Sequence, residues 1–148
     1  MDKPEQPLYD LADKLRARMQ EQRPEKVPEQ FNQIMLADFF VYNLHQGGFA
    51  QLLYNSGGQY LSEIEDLLLE SEAQQTHTFY LRAIERCTGD IPRFHAFLQS
   101  DFVSENELKN ELQAISIEYF QKGVTFMQEA SHHVGKLMHD VSCFLDRP

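Results

Sequence analysis

Two sets of acidic residues have the spacing to do chemistry together: Glu63, Asp66 and Glu70, and Glu107, Glu111 and Glu118. They recur at i, i+3, i+7 and at i, i+4, i+11, so on a helix each set lines one side. With a rise of about 1.5 Å per residue, carboxylates four apart repeat every ~6 Å, the scale on which DNA presents phosphates. Two readings follow. Either these faces meet a basic partner, or they are solvated faces of an acidic protein.

Other constellations are weaker. Glu129-x-x-His132, followed by His133, has the carboxylate–imidazole spacing of helical di-iron sites, but such sites need the motif twice with further inward glutamates. It occurs once, and His132, His133 and His139 fall off the apolar seam of their segment. His45, His77 and His95 are isolated and are expected at helix ends or on the surface. Ser56 lacks the G-x-S-x-G context of a nucleophile elbow. Cys87 has Arg86 beside it, which could depress its pKa, yet one basic neighbour is unspecific. Gly47-Gly48 and Gly57-Gly58 could cradle a phosphate, but a nucleotide loop would bring a Lys and no Lys or Arg occurs from Phe31 to Leu81. The expectation is therefore no catalytic residue, no metal and no cofactor.

At 148 residues with 42% apolar content, one globular domain spanning 1–148 is expected. Twenty-three acids against thirteen bases give a net charge of −10, which disfavours direct nucleic-acid binding. No apolar run approaches a membrane span and Met1-Asp2-Lys3-Pro4-Glu5 begins no signal peptide, so a cytoplasmic location is expected. Cys87 and Cys143 are expected as reduced, buried thiols.

Apolar periodicity predicts an all-α bundle of about six to eight helices. Leu8, Leu11, Ala12, Leu15 and Met19 mark the first, ended by Pro24 and Pro28. A wide-arced, central second helix, holding Phe31, Ile34, Met35, Phe39, Tyr42 and Leu44, is expected to stop at His45. The two glycine pairs hold four of the seven glycines and predict sharp reversals around a short clamped helix bearing Phe49, Leu52 and Leu53. Further helices are expected over Tyr60–Leu68, Ala73–Cys87 and from Ile91 to Leu98. Ser104-Glu105-Asn106-Glu107 reads as a capping box opening a long helical region, 104–146, of one helix or two.

The stretch from Phe39 to Cys87, above all Gln46-Gly47-Gly48-Phe49-Ala50-Gln51-Leu52-Leu53-Tyr54-Asn55-Ser56-Gly57-Gly58, resembles the DNA-mimic protein family of helical bacterial domains. Gly47, Gly48, Phe49, Gln51, Tyr54, Asn55 and Ser56 match its signature, while Gln46 and Ser71-Glu72-Ala73 depart from it. The match reads as a fold requirement: glycines for a turn, Phe49 and Tyr54 for packing, Gln51 and Asn55 for hydrogen bonds. The resemblance implies a dimeric acidic protein that occupies the DNA-binding surface of a helix-turn-helix repressor. On that basis the two acidic faces are expected to bind a basic DNA-binding protein. The alternatives are a non-mimic interaction or dimerisation module using the aromatic-rich helices, and a metal-dependent enzyme using Glu129 and His132.

Overall fold

Phe31, Ile34, Ala37, Phe40, Val41 and Leu44 recur at helical spacing and are all buried, which is why their helix sits at the centre. A computed structural model describes residues 5–22 and 27–146, and among these there are eight helices and no strand. The central helix, α2 (Glu29–Ser56), packs against α1 (Gln6–Glu21), α3 (Leu61–Glu70), α6 (Glu107–Gln121) and α8 (Ser131–Leu145). Between these lie α4 (Gln74–Thr88), α5 (Ile91–Leu98) and the single turn α7 (Phe126–Glu129). Their apolar faces merge into one core, in which Phe40 meets Phe126 and Tyr80 edge-on, while Tyr119 meets Phe49 and Phe79.

The expected reversal at the first glycine pair is instead a kink inside α2. Gly47 (φ −145°) and Gly48 (φ 67°, ψ −162°) leave helical geometry for two residues, and the helix resumes as far as Ser56. Side chains tie the two halves together. Gln51 Nε2 and Asn55 Nδ2 both donate to Asn43 Oδ1, at 3.2 and 2.7 Å, and Asn43 Nδ2 donates to the Phe39 carbonyl at 2.8 Å. The helix therefore does not end at His45. It ends where Gly57 takes a left-handed conformation (φ 63°).

Gly48 also sets how closely α6 approaches. A Cβ there would lie 2.4 Å from Ser116 Oγ. That hydroxyl accepts from the Phe49 amide at 2.8 Å and donates to the Leu112 carbonyl at 2.9 Å, so it satisfies an amide freed by the kink. Residues of the second half of α2 thus hold it to its neighbours: Phe49 is buried, and the Tyr54 hydroxyl donates to the Ser100 carbonyl with its ring against Phe97 and Phe102. Ser56 Oγ donates to Leu53 O and receives the Gly58 amide at the helix end.

The capping box expected at Ser104–Glu107 does not form. Ser104 is bonded through its amide and hydroxyl to the Asp101 carboxylate, and Asn106 caps α6 by accepting from the Lys109 amide at 3.1 Å. A reciprocal capping box occurs instead at Thr125 and Gln128, opening α7. The region 104–146 is accordingly three helices rather than one or two, broken near Gly123 (φ 74°). The α1 stop assigned to Pro24 lies outside the described residues; α1 ends at Glu21. Among the described residues no helix is long and apolar enough to cross a membrane.

Candidate protein-binding surface

Ile64, Leu67 and Leu68 fix the inner side of α3 in the core, which turns Glu63, Asp66 and Glu70 outward to water. The helix is pinned from behind by α4: the Tyr80 hydroxyl donates to the Leu61 carbonyl at 2.7 Å, and His77 Nε2 lies 2.9 Å from Glu65 Oε2. Burial pushes the Tyr80 phenol up, with the charges of Glu65 and Glu63 adding to the effect. Among the described residues neither Glu63 nor Asp66 has an ion-pair partner, and Glu70 accepts only a long 3.4 Å contact from Gln33 Nε2.

A groove of about 690 Å³ opens between α2 and this face of α3. Half-buried Met35, Leu36 and Phe39 and buried Leu67 form its apolar lining, with Tyr60 at its edge. Glu63, Asp66 and Glu70 line it from α3, and exposed Glu29 from α2. Among the described residues its one basic lining residue is Arg16, which is already bonded to Asp13 at 2.8 Å and to Asp38. Asp38 is buried, which raises its carboxyl pKa, and the Arg16 guanidinium acts in the opposite direction.

The second acidic set has different surroundings. Glu118 receives Arg82 at 2.8 Å, and Glu111 receives Arg93 and, at 3.4 Å, Arg86. Glu107 lies 3.8 Å from Arg93. The hydrogen bond from Arg82 holds the Glu118 carboxyl below its ordinary range. The two acidic sets are thus on separate helices, one open to water and one facing arginines of α4 and α5. Sequence reasoning missed those arginines. Arg82 and Arg86 sit one helical turn apart, and that spacing was the available signal for a basic face opposite α6. The groove wall was also missed, although the unusually wide apolar arc of α2 pointed to it.

The remaining candidates have structural surroundings. Glu129 Oε2 accepts from the Gln75 amide at 2.8 Å, while its Oε1 accepts from the Thr76 amide at 2.9 Å and hydroxyl at 2.6 Å. It caps the N-terminus of α4, where a carboxylate is favoured by the exposed amides and the helix dipole. His132 and His139 are exposed and His133 is half-buried. Among the described residues no three of His, Cys, Asp and Glu converge as a metal-binding group. Cys87 is buried and Cys143 exposed, so the expectation of two buried thiols holds for one. Arg86 does not activate Cys87. Burial pushes that thiol up to about 12 against the opposing charge of Arg93.

No curated protein and no solved structure matches the chain significantly. A family model described as DMP19-like protein matches residues 25–134, which takes in the kinked α2, both acidic helices and, Arg16 apart, the lining of the groove between α2 and α3. That is a family of DNA mimics and not of enzymes. With most of its length under that match, the chain belongs to the DMP19-like protein family.

Proposed function

We propose that this protein binds a basic, DNA-binding protein partner and competes with DNA for it, with the carboxylates of α3 standing in for phosphates. The observation that carries this is the open acidic face: Glu63, Asp66 and Glu70 project to water from a helix fixed on its other side. They leave their charge available to a partner's Lys and Arg. The net charge of −10 would speed encounter with a basic surface and repel nucleic acid. The resemblance to the DNA-mimic family implies a helix-turn-helix regulator as the partner class. In this reading Glu107, Glu111 and Glu118 play a secondary part, since their arginines must be displaced before they can serve a partner.

Affinity capture from the native cell, followed by a competition assay between this chain and the captured protein's DNA, tests the reading. The captured protein should bind DNA and be displaced from it by this chain. Its affinity for this chain should fall as salt rises. Joint reversal of Glu63→Lys, Asp66→Lys and Glu70→Lys should weaken binding by at least about tenfold. A partner whose affinity is indifferent to both salt and charge reversal sinks the proposal.

A second reading is favoured by an apolar stripe of Ile117 and Phe120, one turn apart near the end of α6 and 59% and 43% exposed. Such a stripe suits self-association, and a dimer would be compatible with mimicry. Sedimentation of the wild type against Ile117→Lys tests it. A dimer that the substitution leaves intact removes this stripe as its interface.

A further inference from the structure

We infer that the groove between α2 and α3 seats an amphipathic helix of a protein partner, with an apolar side chain in the groove and Lys or Arg on either side of it. This rests on the proposed binding of a basic partner and adds an anchor that DNA itself does not offer. Phosphate mimicry alone needs only carboxylates at suitable spacing. Here the carboxylates border an opening lined by Met35, Leu36, Phe39 and Leu67. Three of those four side chains stay half-exposed on the chain alone, and covering them would add hydrophobic gain to charge pairing.

Charge complementarity decides the occupant. Glu29 on one wall and Glu63, Asp66 and Glu70 on the other surround the apolar lining, and Arg16 is held by Asp13 and Asp38. An acidic or neutral helix would gain nothing at these walls. A second copy of this chain would bring a further −10 towards them. A basic helix satisfies both features at once. Glu63 to Glu70 spans roughly 10 Å along α3, about two helical turns, so cations spaced three, four or seven apart on a partner helix can meet it in register. Two packed helices with a groove between them are also a common seat for a third.

The test uses the full chain and three synthetic, fluorescently labelled helical peptides of equal length, followed by anisotropy at low and moderate salt. The first has Lys and Arg at i, i+3 and i+7 around a central pair of Leu. The second has Ala in place of those Leu, and the third keeps the Leu but has Gln in place of the cations. The first should bind at least about tenfold more tightly than either of the others. Tyr60→Ala and Leu36→Gln should reduce the advantage of the first peptide over the second, leaving the second unchanged. Tyr60 is exposed, so its variant is safe for folding if Leu36→Gln is not. Glu63→Gln, Asp66→Asn and Glu70→Gln together should weaken both cationic peptides.

Equal binding of the first two peptides overturns the anchor and leaves charge mimicry standing. Strong binding of the third peptide, insensitive to the carboxylate substitutions, overturns mimicry and leaves an apolar groove. No binding by any peptide, or a dimer of this chain that protects Tyr60, overturns the inferred occupant.

Discussion

The acidic face of α3 and that of α6 bear the same kind of charge at helical spacing, and they differ in what stands opposite. Across from Glu111 and Glu118 lie Arg93, Arg86 and Arg82, at the seam where α4 and α5 meet α6. Across from Glu63 and Asp66 lie a groove and water. Carboxylate spacing alone therefore does not define a binding surface. Among the described residues Arg82, Arg86 and Arg93 pair with acids of α6, while Arg16 at the α2–α3 groove is held by Asp13 and Asp38, and that distribution separates a face available to a partner from one engaged within the fold.

The largest expected effect removes the frame on which both faces depend. Gly48 holds a φ, ψ pair almost confined to glycine, at the point where α2 meets Ser116 of α6. Gly48→Ala should cost about 3 kcal/mol or more through backbone strain and the clash with that hydroxyl. Chemical denaturation should show the loss, and because Ser116→Gly itself removes the acceptor of the Phe49 amide, Gly48→Ala measured in a Ser116→Gly background should cost less than in the wild type by the part due to the clash. Full stability in Gly48→Ala would mean that the α2–α6 junction does not hold the two regions in place.

Glu129 extends the contrast to a carboxylate fully engaged within the fold. Glu129→Ala leaves the Gln75 and Thr76 amides without their acceptor and should cost about 2 kcal/mol, while Glu129→Gln, which keeps one acceptor, should cost less. Thermal melts with and without added iron, manganese or zinc separate this from the metal reading. A metal-dependent rise in Tm that Glu129→Ala abolishes would revive the di-iron spacing that the sequence contains only once.

The all-α class and the central place of α2 were legible because buried Phe31, Ile34, Phe40, Val41 and Leu44 repeat at helical spacing. The first glycine pair was legible as a break but not as a kink, because the restoring contacts come from Asn43, Asn55 and Ser116, the last 68 residues away from Gly48. Likewise Ser104 resembled a cap until Asp101 engaged it and left Asn106 to take its place. The exposed acids of α3 were readable from their spacing opposite Ile64, Leu67 and Leu68. Which acids would meet arginines was not, since Arg82 and Glu118 are distant in sequence and only the packing of α4 on α6 brings them together.

Releasing the α6 face should sharpen the contrast further. Arg82→Gln with Arg93→Gln removes two cations, taking the net charge from −10 to about −12, and frees Glu118 and most of Glu111. The Arg82–Glu118 pair is exposed and the Arg93–Glu111 pair only partly buried, and such pairs add little stability, so Tm should fall by no more than about 3 °C. Affinity for a basic partner should rise about two- to threefold, with a steeper salt dependence. A fall in affinity would indicate that those arginines, and hence the α6 side, belong to the contact surface.

The smallest effect is also the most local. Cys87 lies beneath the arginine–glutamate seam, fully buried, with its thiol pushed up to about 12 by that burial while Arg93 draws it the other way. In a Cys143→Ser background, iodoacetamide at pH 8 should therefore label Cys87 only through transient opening of the α4–α6 packing, because the closed form offers neither access nor appreciable thiolate. Arg93→Gln loosens that seam and should speed labelling about two- to fivefold, without a comparable change in global stability. Neutralising Glu63, Asp66 and Glu70 should leave the rate unchanged, since α3 contributes its charge to solvent and not to the seam. Equal acceleration by both sets of substitutions would mean that the α3 carboxylates also stabilise the interior, and the distinction between an available face and an engaged one would fail.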